Sequence, residues 1–204
     1  MLEIVSPSLS RNLASYGAVS ADLGVSYPEE MQTIEMLIAQ ASAAIETWCG
    51  RRFAEETYRE TIRIERSTEC VVVSCFPVTE VRSVSLNGRA ISISDLEQGD
   101  GGALFLTRSG VRTLWEAGRA VIQYKAGFTL PDTSGCTLPQ DITRAATLLV
   151  KQAYFARRRD PSIRSEESSG VGATSYGLNG LGNGNDLPPE VQGLLARYRD
   201  SVGF

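Results

Sequence analysis

Residues 31–64 read MQTIEMLIAQASAAIETWCGRRFAEETYRETIRI, and within this stretch the apolar spacing changes from helical to strand-like. In its first half Ile34, Leu37, Ile38, Ala41, Ile45 and Trp48 recur every three or four residues, which places them on one helical face. Gly50 follows in the position where a left-handed residue commonly closes a helix. Ala41, Ala43 and Ala44 are small, so another backbone can approach there. From Thr57 the period is two: Tyr58, Glu60, Ile62 and Ile64 fall on one side, Arg59, Thr61 and Arg63 on the other.

Upstream, residues 1–13 show no clear period and are expected to form an irregular arm. A short helix is predicted from Tyr16 to Leu23, stopped by Gly24, and Ser26-Tyr27-Pro28-Glu29 fits a capping box for the long helix. Downstream, strands are predicted at Val71–Ser74, Val81–Leu86, Arg89–Ile93, Ala103–Thr107 and Ala120–Tyr124. Asn87-Gly88 is a hairpin signal, because both residues tolerate positive φ, and Gly99-Asp100-Gly101-Gly102 marks a further turn.

Helical period returns after Pro139 with Ile142, Ala145, Ala146, Leu149, Ala153 and Tyr154 on one face, running out into Arg157-Arg158-Arg159. Residues 160–186 hold six glycines between Gly170 and Gly184 and cannot supply a packed core. Beyond them Pro188-Pro189 opens a terminal helix carrying Val191, Leu194, Leu195 and Tyr198. The fold class is α+β: a helical bundle with an inserted small antiparallel β module and a C-terminal helix on a flexible linker. The divisions are 1–56 for the arm and first bundle helices, 57–128 for the β module, and 139–159 for a further bundle helix. Residues 160–186 are the linker and 187–204 the docking helix.

Composition narrows the chemistry. The 204 residues contain no histidine, which removes imidazole as a general base and as a zinc ligand. Carboxylate or lysine catalysis stays open. Cys49, Cys70, Cys75 and Cys136 include no Cys-x-x-Cys pair, and no disulfide is expected. The apolar runs are far too short to span a membrane, and Met1–Ser10 lacks the pattern of a signal peptide, so assembly in the cytoplasm is expected. Eighteen arginines stand against two lysines, Lys125 and Lys151. Arginine makes bidentate pairs with carboxylates, as subunit contacts require, although a GC-rich coding genome gives the same bias. A net charge of −4 speaks against a general nucleic-acid binder.

Several patterns, in this order along the chain, resemble the head–tail connector (adaptor) proteins of long-tailed phages and of phage-derived particles such as gene transfer agents. They are Ala41-Ser42-Ala43-Ala44-Ile45-Glu46 through Cys49-Gly50-Arg51-Arg52-Phe53, then Phe76-Pro77-Val78 with Val81–Leu86 and Asn87-Gly88. Val121-Ile122-Gln123-Tyr124-Lys125-Ala126-Gly127-Phe128 follows, and then Leu138-Pro139-Gln140-Asp141-Ile142 leading to Tyr154-Phe155-Ala156-Arg157. The resemblance covers about residues 13–159 and implies a helical core with a β insertion, assembled as a twelve-subunit ring under the portal protein. It implies contact with the next neck protein and DNA passing through the lumen without specific binding. It brings no catalytic residue, cofactor or metal. The β segment is larger than in minimal versions of the family, and the Gly-rich stretch is long.

The candidate partner interface, to the portal or an adjacent subunit, is Arg157, Arg158 and Arg159 with Val191, Leu194, Leu195 and Tyr198. The 27 residues from Asp160 to Asp186 would average about 29 Å end to end as a flexible chain, enough to reach a neighbour. The net charge predicts an acidic or neutral lumen that lets DNA slide. The Gly-rich segment lacks the Gly-Lys-Ser/Thr ending of a phosphate loop. Trp48 is read as core, whereas Trp115 sits in a loop beside Glu116. Glu29-Glu30, and Glu97 with Asp100, are the paired carboxylates on which an alternative would rest. That alternative is a carboxylate-dependent enzyme or a sugar-binding β module with helical flanks.

Overall fold

The computed structural model describes residues 1–25, 29–157 and 187–199, with the backbone of 165–166 and 174–175. The chain is α+β and divides into two compact units. One joins Met1–Ser10 to Arg52–Thr129, and the other joins Arg11–Arg51 to Leu130–Phe204.

The first unit is built from strands: β1 Leu2–Ser6, β2 Glu56–Ile64, β3 Cys70–Val72, β4 Val78–Leu86, β5 Arg89–Ile91, β6 Leu96–Gln98, β7 Ala103–Arg108, β8 Val111–Thr113 and β9 Gly118–Ala126. Five form an antiparallel sheet in the order β1-β2-β9-β4-β5. The others form a smaller sheet, β3-β7-β6, with β8 also paired to β7. Both sheets feed one core, in which Tyr58, Ile122 and Tyr124 from the larger pack with Val71 and Leu104 from the smaller and with Trp115.

The arm expected to be irregular contains a strand. Leu2 and Ile4 pack on the core while Glu3 between them is exposed, a period-two pattern too short to recognise until β2 lies beside it. The expected period-two split of β2 holds, with Tyr58, Glu60 and Ile64 buried and Arg59 and Arg63 exposed. The hairpin at Asn87-Gly88 has positive φ at both residues, 52° and 80°, as a tight two-residue turn requires. Strands β6 and β8, three residues each, had no signal of their own. At Gly127 the φ is +117°, and a Cβ would lie 2.4 Å from the Ala54 carbonyl oxygen. Only glycine fits there.

The second unit contains α1 Tyr16–Leu23, α2 Met31–Cys49, α3 Gln140–Arg157 and α4 Pro189–Leu195, the last running into a 3₁₀ turn at Ala196–Tyr198. The Ser15 hydroxyl caps α1 by accepting from the Ala18 N–H. Gly24 and Gly50 close α1 and α2 in left-handed conformations, as expected. Helix α2 opens at Met31, with Glu30 in the cap position and no side-chain cap bond. The Ser26, Tyr27 and Pro28 part of the predicted capping box lies outside the described residues. Helix α2 packs on α3, α1 on both, and α4 on α3. Ile34, Leu37, Ile38, Ala41 and Ile45 are buried from α2; Ile142, Ala145, Ala146, Leu149 and Val150 are buried from α3. The Ser42 hydroxyl donates to the Ile38 carbonyl at 2.7 Å and accepts from the Leu13 N–H at 2.9 Å, so this buried polar group is satisfied.

The predicted linker falls almost wholly outside the described residues. Its described backbone is a two-residue antiparallel pairing of Ser165–Glu166 (β10) with Thr174–Ser175 (β11).

Candidate interaction surfaces

Among the sequence-predicted interface residues, Arg157 is exposed at the C-terminal end of α3, where a cation complements the helix dipole. Arg158 and Arg159 lie outside the described residues. Val191 and Leu195 are both fully buried within the single chain, on the helix that packs against α3. That departs from the expectation of an apolar stripe held ready for a partner. A seven-residue helix has little stability until its apolar face is covered, and its own α3 covers it. Leu194 and Tyr198 are half-buried and stay partly accessible.

Polar contacts fasten the same segment. Arg197 pairs with Asp141 in the first turn of α3. The Arg199 guanidinium lies 5.0 Å from the Trp48 ring centroid, a cation–π distance, and the Gln192 amide donates to the Leu187 carbonyl at 2.6 Å. Trp48 is thus less buried than its helical position predicts, and Trp115, whose place in a loop assigned it no role, is core. Trp48 is half-buried and receives a guanidinium, whereas Trp115 is fully buried, its indole N–H donating to Leu104 at 2.9 Å. Phe155, partly exposed one residue past the buried Tyr154, had no sequence signal.

The carboxylates singled out in the sequence do not converge. Glu97 receives two bonds from Arg112, at 3.0 and 2.5 Å, and that hydrogen bonding holds its pKa below the ordinary value. Asp100 begins a 3₁₀ turn. Two other carboxylates, Glu56 and Glu60, are buried on β2 and were not singled out. Glu60 accepts from the Ser74 N–H at 2.9 Å, the Ser74 hydroxyl at 2.5 Å and the Tyr124 hydroxyl at 2.8 Å. Glu56 accepts from the Ser8 N–H at 3.2 Å, Arg52 at 3.2 Å and Tyr58 at 3.0 Å. Burial pushes the Tyr58 and Tyr124 phenols well above their ordinary pKa, so both keep their protons and donate. With three donors each, these carboxylates brace the sheet unit.

A groove of about 590 Å³ in the sheet unit is lined by Leu86, Ile91, Leu106 and Leu114 among others, with no aromatic side chain. It has no ring on which a sugar could stack. Among the described residues no group of three or more His, Cys, Asp or Glu could hold a metal. No described helix is long and apolar enough to cross a membrane.

The profile of the head completion protein family matches residues 12–201. The chain belongs to this family. The match takes in the described elements from α1 to the 3₁₀ turn after α4, leaving β1 outside it. No curated protein matches the chain. Among solved structures it is similar to a chain in the neck of an empty GTA particle, computed with C6 symmetry, at 18% identity and a TM-score of 0.53. It is similar also to a chain in the neck of a native GTA particle, computed with C12 symmetry, at 17% identity and a TM-score of 0.53. Each likeness covers 100% of this chain and 97% of the other. At such identity the likeness is one of fold.

Proposed function

We propose that the chain is a structural head–tail connector subunit, one copy of a ring in the neck of a tailed phage-like particle. The observation that carries this reading is membership of the head completion protein family across residues 12–201. The whole-chain fold likeness to neck components with C6 and C12 symmetry supports a closed ring, with twelve copies the natural number. In this reading the helical unit is a bundle into which the β module is inserted. The ring sits beneath the portal protein, meets the next neck protein on its other side and encloses passing DNA. It is assembled in the host cytoplasm.

The partner-facing residues in this reading are Arg157 at the end of α3, Arg158 and Arg159 next in the sequence, and the partly accessible Leu194 of α4 and Tyr198 of the turn after it. Val191 and Leu195 act through packing: they hold α4 on α3, which fixes where Leu194 and Tyr198 stand. Deleting the gene from the producing strain should give filled heads without tails, and the wild-type gene in trans should restore joined particles. Normal tailed particles from the deletion strain would refute the assignment.

A further inference from the structure

The larger sheet of the first unit has one face on the core and another turned outward. In the β2–β9 pairing Arg63 stands directly opposite Arg119, and Arg59 lies four residues along β2 on the same face. All three are exposed, and none has an ion-pair partner among the described residues. Four of the seven other cations of this unit are neutralised, Lys125 by Glu55, Arg82 by Glu80, Arg112 by Glu97 and Arg52 by Glu56, whereas Arg66, Arg89 and Arg108 lie outside the β2–β9 ladder. Like charges directly opposed across a ladder destabilise a sheet, so Arg63 and Arg119 lack the usual structural reason to be together. Among the described residues Glu3, opposite Arg59 on β1, is the only carboxylate whose strand register places it beside the three.

Around the arginines this face presents Thr61, Gln123 and Ser85, with Val121, Ala90 opposite Ser85 and the exposed Met1 opposite Thr61 as apolar members. A protein-docking face is usually built on buried aromatic or aliphatic anchors with charges at the rim. This face has guanidinium, hydroxyl and amide donors, the groups that contact a phosphate backbone. The four-residue step from Arg59 to Arg63 spans about 13 Å of strand, which matches roughly four nucleotides of one duplex strand.

We propose that this outer face, with Arg59, Arg63 and Arg119, contacts the phosphate backbone of duplex DNA independently of sequence. The inference rests on the connector reading and identifies the surface that meets the DNA. It departs from the acidic or neutral lumen that net charge alone predicts. The sheet unit carries ten basic and eleven acidic residues, yet pairing and burial leave this face cationic. Three contacts per subunit are weak and non-directional, which is compatible with sliding.

The test is fluorescence anisotropy of a labelled 30-bp mixed-sequence duplex with the purified full chain, titrated at 50 and 200 mM salt. Three phosphate contacts predict a loss of about 40-fold in affinity over that range. R63Q/R119Q should lose only about 3.5-fold over it, one contact remaining, and should bind much more weakly at 50 mM. The charge-conserving R63K/R119K should keep most of the binding. The Gln variant should melt no lower than wild type, since a like-charge opposition is removed. Equal DNA binding by wild type and R63Q/R119Q would overturn the proposal, as would tighter binding of poly-glutamate than of the duplex. Light scattering on the same samples separates the two readings. An intact ring with unaltered DNA binding in the Gln variant discards the DNA face and leaves the connector standing.

Discussion

The interior of the sheet unit contains two carboxylates and two tyrosine hydroxyls, each with partners reaching across the sequence from Ser8 to Tyr124. The helical unit is packed on α2 and α3 mainly by aliphatic and alanine side chains, with Ser42 bonded to a nearby carbonyl and to the Leu13 N–H. The first interior works only if each donor meets its acceptor, because an unpaired buried polar group is costly. The second tolerates small changes in volume far better. The sheet unit should therefore fail as a whole when one contact is removed. The helical unit should fail locally, at its smallest element, α4.

Gly127→Val attacks this contrast with the largest expected effect. It adds a side chain against the Ala54 backbone at a positive φ, and strain plus overpacking should cost about 4 kcal/mol. Urea denaturation followed by intrinsic fluorescence would report it, through the buried Trp115 of the same unit. A loss under 1 kcal/mol would show that this crossing yields easily. Glu60→Ala comes next. It strips an acceptor from Ser74 and Tyr124 together and should cost about 3 kcal/mol, with Glu60→Gln costing clearly less. Equal effects of the two would mean that the charge, not the hydrogen bonding, braces the sheet.

How much of this could be read from sequence follows from the same contrast. The faces of α2 and α3 were legible because helical packing repeats over many turns, and the alternation on β2 because nine residues hold it. Strand β1 was not, since Leu2 and Ile4 make too short a pattern until β2 is beside them. Glu60 counted correctly as a residue on the inner side of β2, but its three donors come from Ser74 and Tyr124, which only the fold brings close. The α4 stripe was recognised correctly. That α3 of the same chain lies against it was not legible, because a stripe says that something covers it and not what. The Arg63–Arg119 opposition depends on the β2–β9 register, which spacing within one strand cannot give.

Leu195→Ala probes the helical side with the smallest of the three effects. Removing this fully buried side chain should cost about 2 kcal/mol, confined to local opening of α4. Hydrogen exchange should quicken across residues 187–199 and stay unchanged in the sheet unit. Faster exchange in β2 or β9 would show that the two units do not fail independently.

The central claim, that this chain is a structural ring component of a neck, is tested most directly by cryo-electron microscopy of tailed particles from the strain that encodes it. The account predicts a closed ring at the head–tail junction, twelve copies around the DNA path, into which both units of the chain fit. Finding the chain absent from purified particles, or placed in the capsid shell or along the tail tube, would contradict it.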